Sequence, residues 1–388
     1  MTNPRANRPK LLTVIGTRPQ YIKYAAVATH LAAHFDETVI DTGQHYDAAL
    51  SRQFIQEFFP TAAFRTLSVA ARDARTRLPA MLARIDALID ELRPDLVLCF
   101  GDTDSTLAAG LAAARCGIPL CHVEAGERSR TADGTRIPAR AAPEESNRII
   151  VDHLAALRCC TTDEAARTCD AEGCLGRSVV TGDITYDIFL AQRRHMPDVL
   201  SLLRAQGCER SPFFLASVHR AVNTDERTRL ATILDTLDDL PHPVLLPLHP
   251  RTERRMREFD LPRPTRALRL IAPLSHGETL ALLARAARVL TDSGGLTREA
   301  YFSAVPSVCL DDATAWHLLV RNGWCALTGC DREAIHRAVA APAPDRHDPT
   351  LFGDGRAALR VVNALWEFSA RPTPGLPPPA TVPRDASA

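Results

Sequence analysis

A chain of 388 residues is longer than one hydrophobic core usually serves, so two domains are expected. Hydrophobic residues make up 46% and charged residues 24%, the proportions of a globular protein and not of a disordered or fibrous one. Lys+Arg and Asp+Glu balance at 46 each, which excludes a global field for nucleic acid or an anionic membrane and leaves any anionic ligand to a local cluster.

In chain order, residues 1–10 hold no apolar leader, and no later run approaches the roughly 18 apolar residues of a membrane span, so a cytoplasmic protein is expected. Residues 11–15 read as a buried strand, followed by the turn Gly16, Thr17, Arg18, Pro19. Proline at a first helical position opens a helix to about Ala33. Strands are predicted at 38–41, 95–100 and 118–123, with helices over 48–58, 78–92 and 106–115. This β-α-β alternation predicts a parallel sheet with helices on both faces, whose ligands sit beyond the carboxyl ends of the strands. Glycines and charges gather at those ends: Gly16, Gly101 with Asp102, and Glu124 with Gly126.

The alternation restarts after a polar helical stretch at 192–206, with strands expected at 213–217, 243–248, 268–271, 289–291 and 307–310 and a helix over 279–287. The expected division is therefore a Rossmann-like domain over 9–188 and a second over 189–370, hinged near 182–207. The proline-rich 371–388 is expected to be a disordered tail. Residues 131–142 show neither the helical nor the strand period and read as a surface excursion or a lid. The eleven cysteines include no C-x-x-C pair, which points to reduced thiols and not to a zinc site.

Four acid-base candidates stand at turns after strands or at a helix start: Asp102, Glu124, Glu144 (with its neighbour Glu145) and His219. A carboxylate at a strand end can be partly buried and tuned for proton transfer. Each taken singly fits better the bland role of a helix cap or first-turn acid, and it is four such positions at neighbouring sheet ends that weigh against it. A second constellation, Thr291 to Gly295, runs from a strand into a helix containing Glu299. Its glycines let backbone amides approach a phosphate, and Arg18, His249 and Arg251 are candidate partners for a diphosphate. Neither the P-loop nor the G-x-G-x-x-G fingerprint occurs, so neither a P-loop nucleotide triphosphatase nor bound NAD is expected.

These segments resemble the non-hydrolysing UDP-N-acetylglucosamine 2-epimerases: GTRPQYIK (16–23), TGQHYD (42–47), FGDTDST (100–106), HVEAG (122–126), PEESNR (143–148), TGDITYD (181–187), VHR (218–220), HPRT (249–252) and DSGG (292–295). The resemblance implies an α/β fold of two Rossmann-like domains, of the GT-B type, with an interdomain cleft and the nucleotide held mainly by the second domain. It implies epimerisation at the second carbon of a UDP-N-acetylhexosamine-type sugar, by UDP elimination and re-addition through a glycal, without metal or other cofactor. By motif position Asp102, Glu124, Glu144 and His219 form the catalytic group. Arg18, Arg148, His249, Ser293, Gly294, Gly295 and Glu299 would hold the UDP-sugar, and Gln44 and His45 would line an allosteric site or cap the next helix. A homodimer is expected on the same ground.

The sequence departs from the resemblance at Asp311 to His317, where acidic residues and Ala315 replace an arginine and a glutamate, and at Glu127, Val222, Thr297 and the long 131–142 segment. Two alternatives follow from these departures. One is a hydrolysing epimerase or glycosyltransferase using the same UDP-sugar site; the other is a non-catalytic nucleotide-sugar binding protein.

Overall fold

Short runs rich in β-branched and apolar residues, many ending at a glycine or a charged turn, form thirteen strands among the described residues of a computed structural model, which cover 8–44, 64–67, 69 and 74–370. By their contacts these residues fall into two units: one built from 1–127, 139–187 and 352 onward, the other from 128–138 and 188–351. The expected helix over 48–58, His45 and the tail from 371 lie outside the described residues.

The first unit holds β1 (Lys10–Ile15), β2 (Asp36–Asp41), β3 (Phe64–Thr66), β4 (Leu96–Phe100), β5 (Leu120–Ala125), β6 (Leu157–Cys160) and β7 (Arg177–Val180). They form one sheet in the order β3-β2-β1-β4-β5-β6-β7, with every pairing parallel. β4 is buried along its whole length, as a central strand covered on both faces must be. One face of the sheet packs under the helices Ala74–Leu92 and Asp104–Arg115 through Val14, Val97, Cys99, Met81, Ile85, Ala108 and Ala112. The order reverses between β1 and β4, and such a switch point opens a crevice at the strands' carboxyl ends.

The second unit repeats this plan with β8 (Phe214–Ser217), β9 (Val244–Pro247), β10 (Leu268–Ile271), β11 (Arg288–Thr291), β12 (Ser307–Cys309) and β13 (Cys325–Leu327). Their order, β10-β9-β8-β11-β12-β13, is again all parallel and reverses between β8 and β11. Its core joins Ala216, Leu246, Leu290 and Val308 to Ile233 and Leu237 of the helix Arg227–Asp238.

Two segments cross the contiguous division expected from the sequence. The helix Ala357–Ser369 buries Val361, Val362 and Leu365 and packs on the helix Arg18–His34 and β6, within the first unit. Asp187 holds its start by accepting from the amides of Ala357 (3.1 Å) and Ala358 (2.8 Å). The excursion 128–138 belongs to the second unit because Arg130 and Thr314 exchange two backbone hydrogen bonds of 2.9 Å each. Within it Thr131 and Thr135 face each other across a turn whose Asp133 accepts from the Thr135 amide (3.1 Å), so the segment is an ordered hairpin. Among the described residues, no helix is long and apolar enough to cross a membrane.

Candidate active site

The turn after β4 carries Asp102, and three elements reach it. Gly101, with φ of +64°, turns the chain off the strand. Gln20, from the first helix, donates to the Phe100 carbonyl (2.8 Å) and accepts from the Gly16 amide (2.9 Å), tying the turn after β1 to the turn after β4. Asn147, on the helix Pro143–Leu154, donates to the Asp102 carbonyl (2.9 Å). The next residue, Arg148, pairs with the Asp102 carboxylate and with Glu145 one turn earlier (3.0 Å).

Glu124 sits at an irregularity in β5, where the register with β6 shifts between Val123 and Ala125. Its φ of +68° lies in the left-handed region that a residue with a Cβ rarely occupies. A bulge of this kind re-aims a side chain, and the re-aimed carboxylate pairs with the ammonium of Lys23, a lysine only 7% exposed. Gly126 follows with φ of +84°, and a Cβ there would run into the Ala165 backbone, so glycine is required. Burial works to lower the Arg148 pKa, but the carboxylates of Asp102, Glu145, Glu124 and Glu127 outweigh it and raise the pKa above the usual arginine value. Two cations therefore stand among four carboxylates.

Glu144 is half-buried in the first turn of the same helix, while Glu145 is fully buried. Arg18 is exposed at the first position of its helix. Gln44 accepts from the amide (3.0 Å) and hydroxyl (2.6 Å) of Ser105, so it serves the start of the helix Asp104–Arg115. The arrangement joins Asp102, Glu124, Glu145 and Arg148 and places Glu144 beside them in sequence. Lys23 was missed from sequence, although a lysine among the apolar neighbours of Tyr21 and Tyr24 was a legible signal.

In the second unit the corresponding switch point holds His219, after β8, and Asp292, after β11. The Asp292 carboxylate is buried and accepts from the amides of His219 (2.9 Å) and Arg220 (2.9 Å) and from the Asn223 side chain (3.0 Å). It also lies 3.3 Å from His219 Nδ1, which fixes the ring with Nε2 on its far side. The His249 ring stacks on His219 at 5.3 Å between centroids, while its Nδ1 accepts from the Arg251 amide (3.1 Å) at the start of the helix Pro250–Glu258.

Ser293 caps the helix Gly294–Phe302 by accepting from the Leu296 amide (3.3 Å). A Cβ at Gly294 would approach Trp316 Nε1 to 2.9 Å, whereas one at Gly295 would meet only Ser293 Oγ, at 3.7 Å. Open space and helix-start amides together suit a phosphate. Glu299, on the same helix, is bonded to His276 Nε2 (2.7 Å). The acidic pair at 311–312 is absorbed locally: Asp311 pairs with Arg220 (2.5 Å) and Asp312 with Arg229 (2.9 Å). Burial pushes the Asp311 carboxyl up, and Arg220 only partly offsets this.

With that geometry in place, similarity to known proteins decides the family. The family model described as UDP-N-acetylglucosamine 2-epimerase matches residues 28–366. The chain belongs to the UDP-N-acetylglucosamine 2-epimerase family. One curated relative, the UDP-N-acetylglucosamine 2-epimerase homolog of Methanococcus maripaludis, is 34% identical over 92% of this chain and 99% of its own. Another, the UDP-2,3-diacetamido-2,3-dideoxy-D-glucuronate 2-epimerase of Pseudomonas aeruginosa, is likewise 34% identical over 92% and 99%. Among solved structures, the Methanocaldococcus jannaschii UDP-GlcNAc 2-epimerase in complex with UDP-GlcNAc and UDP matches with a TM-score of 0.78 at 29% identity, covering 92% of this chain and 99% of that one. The α/β architecture of two parallel sheets is thus the GT-B-type fold of this epimerase family.

Proposed function

We propose that the chain epimerises a UDP-N-acetylhexosamine-type sugar at its second carbon. A base removes the C2 proton, the freed electron pair forms the C1=C2 bond, and the C1–O bond to UDP breaks with its pair leaving on the diphosphate. UDP then adds back to the glycal while a proton is delivered to the opposite face of C2. The observation that carries this reading is the cluster in which Asp102 and Glu124, at the ends of two adjacent strands, are each paired with a cation, the half-buried Arg148 or the buried Lys23. Carboxylates held this way are preorganised for proton transfer and need little rearrangement.

Asp102, Glu124, Glu144 and His219 form the acid-base group in this reading. Arg148, engaged by Asp102 and Glu145, orients that group. Ser293, Gly294 and Gly295 take the diphosphate, with Arg18 as a further charge and His249 and Glu299 flanking the nucleotide. The sugar's substituents are open to the same test, because relatives at equal identity carry names with different sugars.

Incubation with UDP-N-acetylglucosamine and with UDP-2,3-diacetamido-2,3-dideoxyglucuronate in heavy water, followed by NMR, should show deuterium entering C2 of one of them. Asp102→Asn should slow that labelling by about 10²-fold or more. Unlabelled, unchanged sugars across the panel would overturn the proposal. Stoichiometric release of free UDP would replace epimerisation with hydrolysis or transfer.

A further inference from the structure

Behind the carboxylate cluster of the first unit lies a pair of buried residues that the proposed chemistry does not use. His122, on β5 two residues before Glu124, and Asp152, on the helix Pro143–Leu154, are both fully buried. His122 Nδ1 lies 2.7 Å from Asp152 Oδ1, and its Nε2 lies 2.7 Å from the Gly101 carbonyl. The second Asp152 oxygen accepts from the Gly126 amide at 3.0 Å. The ring is thus engaged at both nitrogens and the carboxyl group at both oxygens. Removing either partner leaves buried polar atoms unpaired, which is costly at this depth.

The bonds of this pair end on the segments that carry the acid-base group. Gly101 is the residue before Asp102. His122 and Gly126 bracket Glu124 at the bulge. Asp152 shares its helix with Glu144, Glu145, Asn147 and Arg148. Glu124 has a positive φ, and a strained backbone persists only where its surroundings over-determine it. Two hydrogen bonds to one carboxylate, from His122 on one side and Gly126 on the other, supply that constraint.

We propose that His122 and Asp152 are positioning residues for the acid-base group, fixing Asp102, Glu124 and the Glu144 helix in one geometry without themselves touching the sugar. This rests on the function proposed above, so the wild-type protein must first show C2 labelling. A chain that binds UDP yet labels no sugar sinks that reading and not this one. Where labelling occurs, His122→Phe keeps the buried volume but none of the hydrogen bonds. It should lower the kcat for labelling by about 10²-fold, the scale of a small misplacement of reacting groups. KM and UDP affinity should stay within about 3-fold, since the residues proposed to hold the nucleotide, Arg18 apart, belong to the other unit.

Asp152→Asn can still accept from Gly126 and donate to a neutral ring whose other nitrogen serves Gly101. It should therefore recover activity to within about 10-fold of wild type, whereas Asp152→Ala should not. A role in stability alone would lower the melting temperature of all three variants without separating kcat from KM and without rescue by asparagine. His122→Phe with kcat within about 3-fold of wild type would overturn the proposal, as would equal kcat for Asp152→Asn and Asp152→Ala. If the disruptive variants do not fold, nitrogen-15 NMR of the wild-type histidines decides it. A slowly exchanging proton shared between His122 and Asp152 upholds the pair, and a ring exchanging freely with solvent removes it.

Discussion

Buried charge in the first unit is met residue by residue, and the outcomes differ with the partners at hand. Lys23 and Arg148 each find carboxylates, while Arg158 on β6 finds only oxygens: the carbonyls of Ala155 (2.9 Å) and Asp152 (3.1 Å) and the Ser178 hydroxyl (3.1 Å). Glu37 on β2 is met by hydroxyls alone, accepting from Thr13 (2.6 Å) and Tyr24 (3.0 Å). Burial raises its pKa from 4.5 to about 7, with the two hydroxyls only partly offsetting it. Folding therefore takes up a proton at this site. The stability it contributes is complete below pH 4.5 and is lost as the pH rises through 7. Urea denaturation should show wild-type stability falling between pH 5 and pH 8 relative to Glu37→Gln, by up to about 3 kcal/mol. Parallel pH profiles for the two proteins would show that the site carries no such linkage.

At the scale of elements, strands that stand out as an apolar run were legible, whether long or short, and the others were not. β1, β4, β5 and most strands of the second unit follow from runs of Val, Leu, Ile and Cys ending at a glycine or a charge. β6 did not, because only Ala155 and Ala156 separate it from the preceding helix, with no glycine or proline to mark the break, and only the tertiary partners of Arg158 make its burial tolerable. β7, with Arg177 and Ser178 among its four residues, offers too short an apolar run. The hairpin at 128–138 was equally hidden: its register is set by Thr314, far away in sequence. The acid-base candidates were legible because turns after strands expose side chains, but the bulge at Glu124 was not, since nothing in HVEAG announces a positive φ. That bulge can be tested with two substitutions that both remove the Lys23 pair. Glu124→Gly should be more stable than Glu124→Ala by roughly 0.5–1 kcal/mol, because only alanine must hold a Cβ at a left-handed φ. Equal stability, or a more stable alanine variant, would mean that the backbone relaxes there at no cost.

At the scale of the whole molecule, one topology is used twice with different groups at its switch points. Each sheet reverses its strand order once, and each candidate cluster stands at the carboxyl ends beside that reversal. In the first unit the crevice collects carboxylates in excess over cations; in the second it presents a helix start, two glycines and two stacked histidines. Under the proposed function the nucleotide is held mainly by the second unit, while the carboxylates of the acid-base group come from the first and His219 joins them from the second. Binding and proton transfer should therefore be separable by mutation. UDP alone, at about one hundred times its Kd, should stabilise the wild-type fold by about 2.7 kcal/mol, seen as a rise in melting temperature. Asp102→Asn should keep that rise while losing C2 labelling. Gly295→Val should lose the rise while folding normally, because a Cβ there meets only Ser293 Oγ, at 3.7 Å, and the branched side chain would cover the amides proposed to take the diphosphate. An undiminished rise in Gly295→Val would move the nucleotide away from the Ser293 turn. A rise lost in Asp102→Asn would mean that the carboxylate cluster contributes to UDP affinity itself, and the division of labour between the two sheets would fall.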